Sequence, residues 1–149
     1  MQSASIVGEK IPWVATCDGQ SASPKFSWIA PPEGTKSLAL LAIDRDSPFD
    51  YQFVHWVVYN IPPATRDLPQ AVPAQEMLPN GSRQGVNDFG NMGYAGPCPP
   101  GRSAHHYEFT IYAVDMALVL PARATPRQVL KAIKGHVLAV GQLVGTYQH

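Results

Sequence analysis

Fifteen prolines and twelve glycines in 149 residues are the strongest constraint on what this chain can fold into. Proline removes a backbone donor and clashes inside a helix, so their distribution forbids long helices before the last thirty residues. Four runs read as strands, each bounded by Pro, Gly or Asp: Phe26-Ser27-Trp28, Leu38 to Asp44, Phe53 to Ile61, and His105 to Asp115. An antiparallel-rich sheet accommodates them. The stretch from Pro62 to Val86 lacks a sustained period and reads as a long surface connection in which part packs as a short strand or turn, with Asn80-Gly81 marking one turn.

One helix is expected. Thr125-Pro126 supplies a cap and a proline suited to the first helical position, and Gln128 completes the capping box. Val129, Ile133, Val137 and Val140 recur at helical spacing, which extends the expected helix to about Gly141 and gives it one wet face carrying Arg127, Lys131 and Lys134. These basic residues read as a solvated surface without a functional role, and His136 reads as a structural residue.

Length and composition (45% hydrophobic, 15% charged) fit one domain spanning residues 1–149. Eleven basic residues balance eleven acidic ones, so no overall field exists to hold nucleic acid or an anionic membrane. No eighteen apolar residues run together and the N-terminus lacks a signal-like segment, so a cytoplasmic protein without integral membrane association is expected. In that compartment Cys17 and Cys98 are expected to be free thiols.

Period-two counting places polar groups at the ends of apolar strand faces. Asp44 ends the face of Leu38, Leu40 and Ala42, and His105 and Tyr107 begin the face continued by Phe109 and Ile111. His106 points the other way, to water. The same count puts His55 on a face with Val57, Tyr59 and Ile61. Polar groups at the rim of a core are how pockets are lined. Asp46 and Asp50 read first as turn formers in the segment after Asp44. The loop from Asn87 to Gly101 mixes stiff prolines with permissive glycines and reads either as a preorganised wall or as a rigid surface loop.

The run Leu-Ala-Leu-Leu-Ala-Ile-Asp-Arg-Asp-Ser-Pro, the segment His-Trp-Val-Val-Tyr-Asn-Ile-Pro from His55, and Gly-Tyr-Ala-Gly-Pro-Cys-Pro-Pro-Gly followed by His-His-Tyr-Glu-Phe resemble the phosphatidylethanolamine-binding (Raf kinase inhibitor-like) family, its bacterial and archaeal branch most of all. The resemblance implies a mostly β fold: a central antiparallel sheet, a second smaller sheet and a C-terminal helix packed on it. It also implies a small anion cavity lined by Asp44, Asp46, His55, His105 and Tyr107, with Pro48, Gly96 and Pro99 shaping its walls. This sequence has Arg45 where the family's first motif has proline, and an extended turn points Arg45 out of the cavity.

His55, His105, Tyr107 and loop N–H groups can donate to a phosphate ester or carboxylate, while an ionised Asp44 orients a histidine or meets an amine. The expected function is therefore binding of a small anion of the phosphate-ester or phospholipid head-group type, without catalysis, cofactor or metal. The resemblance also suggests an inhibitor of a kinase or serine protease acting through the pocket surface, and it leaves room for a homodimer. A hydrolase using Cys98 as nucleophile, or a metal site from Asp44, Asp46, His55 and His105, has weaker support, because neither shows the usual flanking base or ligand spacing.

Overall fold

The computed structural model describes residues 1–6, 8–47 and 52–149. Among these residues seven strands form two antiparallel sheets: β1 (Phe26–Ser27), β2 (Ser37–Asp44), β3 (Phe53–Ile61), β4 (Asp67–Leu68), β5 (Arg83–Gln84), β6 (His105–Val114) and β7 (Val137–Tyr147). The large sheet has the order β5-β3-β2-β6-β7, and β1 pairs with β4 in a two-stranded sheet. The mostly β fold with a smaller second sheet and a packed helix is the expected one. The turn at Asn80-Gly81 also forms, with Gly81 at φ 90° and the Asn80 side chain accepting from Ser82 N at 2.9 Å.

Both faces of the large sheet are covered, which explains why all eight residues of β2 are buried. On one face Leu38, Leu40, Ala42, Trp56, Phe109 and Ile111 pack with Phe26 and Leu68 of the small sheet and with Ile6, Ile11 and Ala15 of the N-terminal segment. The Phe26 ring lies 4.8 Å from that of Phe109 and 6.4 Å from that of Trp56. On the other face Ala39, Leu41, Val57 and Tyr59 pack against Val129 and Ile133 of the helix.

That helix, α1 (Pro126–Ile133), opens with the expected capping box: the Thr125 hydroxyl accepts from Gln128 N at 3.2 Å, and Gln128 Oε1 accepts from Thr125 N at 2.8 Å. It stops eight residues short of the expected end. Gly135 takes φ 82°, a left-handed conformation that terminates helices, and His136 N donates back to the Ile133 carbonyl at 2.9 Å. The chain beyond becomes β7, pairing along the whole of β6 from Val114–Val137 to His105–Tyr147. Val137 and Val140 therefore belong to a strand and are exposed rather than sharing a helix face with Val129 and Ile133. The run Val137-Leu138-Ala139-Val140 suits an extended edge as well as a helix, and the partner strand decides. His136 donates to Asp115 Oδ1 at 2.8 Å at this junction, a structural contact.

The cysteines also depart from expectation. Cys17 and Cys98 are joined in a disulfide across 81 residues of sequence, with Cα atoms 5.4 Å apart. Sequence spacing carries no information about this approach, which the packing of the N-terminal segment against the loop after Gly93 creates. With the thiols paired, the cysteines no longer point to a reducing compartment.

Candidate functional site

Strand pairing sets the site. Asp44, the last residue of β2, stands opposite Phe53 at the start of β3 and opposite Tyr107 near the start of β6. Three strand ends thus meet at one edge of the sheet. Asp44 and Tyr107 share the face of Leu40, Ala42 and Phe109, as period-two counting requires.

His55 reaches the same face by a different route. β3 has an extra residue relative to β2 at His55, which falls between the Ala42–Trp56 and Ile43–Val54 pairs, and another between Leu38–Ile61 and Leu40–Val58. At the second bulge Asn60 takes φ 53°, and its side-chain amide exchanges hydrogen bonds with the backbone of Leu118 at 2.7 and 2.8 Å. Because a bulge inserts a residue and reverses the facing of the residues after it, His55 does not lie with Val57 and Tyr59, which face the helix. Its ring instead meets Tyr107 edge-on at 5.3 Å. The bulge turns His55 into the site.

The result is a cavity of about 440 Å³ lined by Asp44, Ser47, Phe53, His55, Asp88, Phe89, Cys98, Pro100 and Tyr107. The rings of Phe53, His55 and Phe89 lie 4.7 to 5.4 Å apart, forming one apolar side. His55 Nδ1 donates to the Ala95 carbonyl at 2.8 Å, and Ala95 N donates back to the His55 carbonyl at 2.9 Å. A carbonyl only accepts, so the proton sits on Nδ1 and Nε2 carries the lone pair of the neutral ring. Burial lowers the His55 pKa from its ordinary 6.5, against the opposing pull of the Ala95 carbonyl and the Asp44 carboxylate.

The carboxylates around the cavity are already engaged. His105 Nδ1 donates to Asp44 at 2.9 and 3.2 Å, and both residues are buried, so Asp44 orients a histidine as one of its two expected roles required. Asp88 accepts from Val54 N and from Arg127 of α1, each at 2.7 Å. Arg127 also donates to the Gln52 carbonyl at 2.7 Å, tying the helix to the cavity rim. Tyr107 Oη is different: it is buried and has no hydrogen-bond partner among the described residues. Burial, then the Asp44 carboxylate, push its pKa up, so the hydroxyl stays a donor.

The expected site residues divide into those the fold gathers and those it does not. Asp44, His55 and Tyr107 come together in the cavity, and His105 stands behind Asp44 without lining it. Asp46 turns away: its carboxylate accepts from His106 Nδ1 at 2.7 Å and from His106 N at 2.6 Å on the exposed side, where His106 was expected. Arg45 also points outward, pairing with Glu108 at 3.2 Å. Gly96 and Pro99 are buried in the loop behind the lining rather than in it. Pro48 and Asp50 lie outside the described residues. Cys98 lines the cavity but holds its sulfur in the disulfide, which removes the candidate nucleophile.

Sequence reasoning missed Ser47, Phe53, Asp88, Phe89 and Arg127. Arg127 groups by spacing with the solvated basic face, and nothing in that spacing announces a carboxylate 39 residues away. Phe53 carried a signal, since it begins the strand that holds His55.

Gly96 illustrates how the wall is fixed. A Cβ there would stand 2.7 Å from the Thr16 carbonyl carbon and 2.8 Å from the Ala15 carbonyl oxygen, both backbone. Gly96→Ala must therefore separate the loop from the 3₁₀ turn Trp13–Ala15. We expect it to lower stability by about 2 kcal/mol and to weaken protection of the Ala95 amide in hydrogen exchange; unchanged protection would show that the loop is not clamped there.

Comparison with known proteins agrees with this architecture. The family model described as phosphatidylethanolamine-binding protein matches residues 2–148. A UPF0098 protein of Methanothermobacter thermautotrophicus is 46% identical over 139 residues, covering 93% of this chain and 91% of its own. One from Aquifex aeolicus is 44% identical, covering 95% and 82%. The crystal structure of Escherichia coli YbcL, described as a member of the mammalian PEBP family, superposes with a TM-score of 0.91 at 31% identity, covering 99% of this chain and 96% of that one. That of the Chlamydia trachomatis homologue CT736 gives 0.86 at 36%, covering 99% and 94%. The family-model match over residues 2–148, with relatives 46% and 44% identical over most of both chains, places the chain in the phosphatidylethanolamine-binding protein family.

Proposed function

We propose that the cavity at Asp44, His55 and Tyr107 binds a small phosphate-ester anion, of the free or phospholipid head-group type, without turning it over. The orphaned Tyr107 hydroxyl carries this reading. A buried polar group without a partner costs roughly 1–3 kcal/mol, and one that lines a cavity is satisfied by whatever acceptor enters. His55 Nε2 is the second group left for a ligand, since Asp44 and Asp88 are engaged by His105 and Arg127. Among the described residues Tyr107 Oη has no base hydrogen-bonded to it that would activate it as a nucleophile, which favours binding over turnover. The disulfide favours an oxidising compartment for this activity over the cytosol.

Titration calorimetry with inorganic phosphate and with phosphoethanolamine at mildly acid pH tests the proposal. Saturable binding is expected, weakened about tenfold or more by Tyr107→Phe, because a hydrogen bond to a charged acceptor is worth roughly 1.5–3 kcal/mol. The same variant should keep or gain stability, since it removes a buried hydroxyl with no partner. Absence of saturation, or equal affinity in the variant, would count against the site.

The proposal also fixes the sign of the pH dependence. Neutral His55 accepts a proton from a phosphate monoanion, or takes one from solvent to meet a dianion, and both complexes hold one more proton than free protein plus dianion. Affinity should therefore fall by up to about tenfold per pH unit above neutrality. For folding, the depressed His55 pKa means that the native state resists the proton that the unfolded chain accepts near 6.5. The contribution of His55 to stability is complete above that value and is lost as pH falls below it. Ligand and protein stability should thus respond to acid in opposite directions, which thermal melts from pH 5 to 8 with and without phosphate would read.

A further inference from the structure

Beside the cavity, Cys17 and Cys98 meet the ring of His149. We propose that in the reduced protein Cys17, Cys98 and His149 form a binding site for a thiophilic divalent cation, zinc being the ion that two thiolates and an imidazole fit. The two sulfurs and a ring nitrogen of His149 lie within 4.8 Å of one another, and among the described residues this is the only group of His, Cys, Asp and Glu atoms so placed. Zinc takes cysteine sulfur and histidine nitrogen in tetrahedral sites, with water or an exogenous ligand in a fourth position when the protein supplies three.

The surroundings of His149 match what such a site needs. Asp18 Oδ2 accepts from His149 Nδ1 at 2.6 Å, so the neutral ring keeps its lone pair on Nε2. A carboxylate that fixes the tautomer and orientation of an imidazole is the usual outer partner of a metal-bound histidine. Asp18 is itself held by the Tyr147 hydroxyl, which donates to the same oxygen. The Tyr147 and His149 rings meet edge-on at 5.6 Å.

Access and reach are also satisfied. Cys98 is exposed and Cys17 half-buried, so a reductant and an ion can both arrive. Two thiolates on one zinc sit about 3.8 Å apart, from two bonds of about 2.3 Å at a tetrahedral angle. Side-chain rotation alone achieves that separation from Cα atoms 5.4 Å apart. A dithiol reductant delivers two electrons and two protons to the disulfide, leaving two thiols and its own disulfide. Zinc then displaces both thiol protons to solvent as two Zn–S bonds form. A disulfide oxidant reverses the sequence and releases the ion.

Cobalt(II) added anaerobically to the reduced protein is the test. A 1:1 complex with thiolate-to-cobalt charge-transfer absorption, displaced by zinc, is expected, with no such absorption in the oxidised protein. His149→Ala should abolish tight binding, and Asp18→Asn should weaken it about tenfold or more. Near-UV circular dichroism of the tryptophans reports whether the reduced chain keeps its tertiary structure. Absence of the absorption in a folded reduced protein would overturn the proposal, as would equal affinity in His149→Ala. So would a reduced chain that loses its tertiary signal and does not recover it with cobalt.

Discussion

Replacing His105 with alanine is expected to lower folding stability by about 3 kcal/mol, near the lower end of what removing one partner of a buried pair costs. The loss is large because Asp44 stays behind, buried, with its carboxylate deprived of two short contacts to His105 Nδ1 and left with Asp46 N at 2.9 Å. For a chain of this size that corresponds to a melting temperature roughly 6–12 °C lower. The diagnostic is the cycle with Asp44→Ala: once the carboxylate is gone the histidine deletion should cost much less, so the double variant should be more stable than the summed singles predict. Strict additivity in urea unfolding would mean that the pair contributes no mutual stabilisation.

Breaking the Cys17–Cys98 bond is expected to have an effect of similar or larger size. Cross-linking residues 81 apart removes closure entropy from the unfolded chain worth about 4.5 kcal/mol in the chain-entropy model, with measured values more often about 2–4. Reduction with a chelator present, or the Cys17→Ser/Cys98→Ser pair, should lower the melting temperature by roughly 8–15 °C. Ligand affinity should fall as well, because the bond anchors the loop whose Ala95 carbonyl holds His55 and whose Pro97 carbonyl accepts from Cys17 N at 3.1 Å. Two free thiols titrating in the untreated protein, or a melt indifferent to reductant, would contradict this expectation.

Much of the fold and part of the site are legible in the sequence for definite reasons. Phe53–Ile61 and the start of β6 at His105 fall where apolar runs bounded by turn residues place them, and Asp44 and Tyr107 face inward by simple alternation. Alternation fails at His55 because a bulge is a property of two strands in register, and only the pairing of β3 with β2 reveals the extra residue. The end of α1 is written in Gly135, but a continuing aliphatic spacing masks it until β6 claims the segment. Asp46 alternates with Asp44 as a turn residue should, yet its carboxylate is drawn outward by the His106 amide and ring. The Asp88–Arg127 pair and the disulfide join distant residues, and no local pattern encodes such contacts.

The most direct test of the site is the ¹⁵N resonance of the His55 imidazole during a phosphate titration. The unliganded protein should show protonated Nδ1 and unprotonated Nε2 at neutral pH, in line with the Ala95 hydrogen bond and the burial-lowered pKa. Adding phosphate at pH 6 to 7 should move Nε2 toward the protonated or strongly hydrogen-bonded value, and proton uptake on binding should grow when the titration is repeated at higher pH. A His55 signal that stays in place while phosphate saturates the protein would put the anion elsewhere and contradict the role assigned to this cavity.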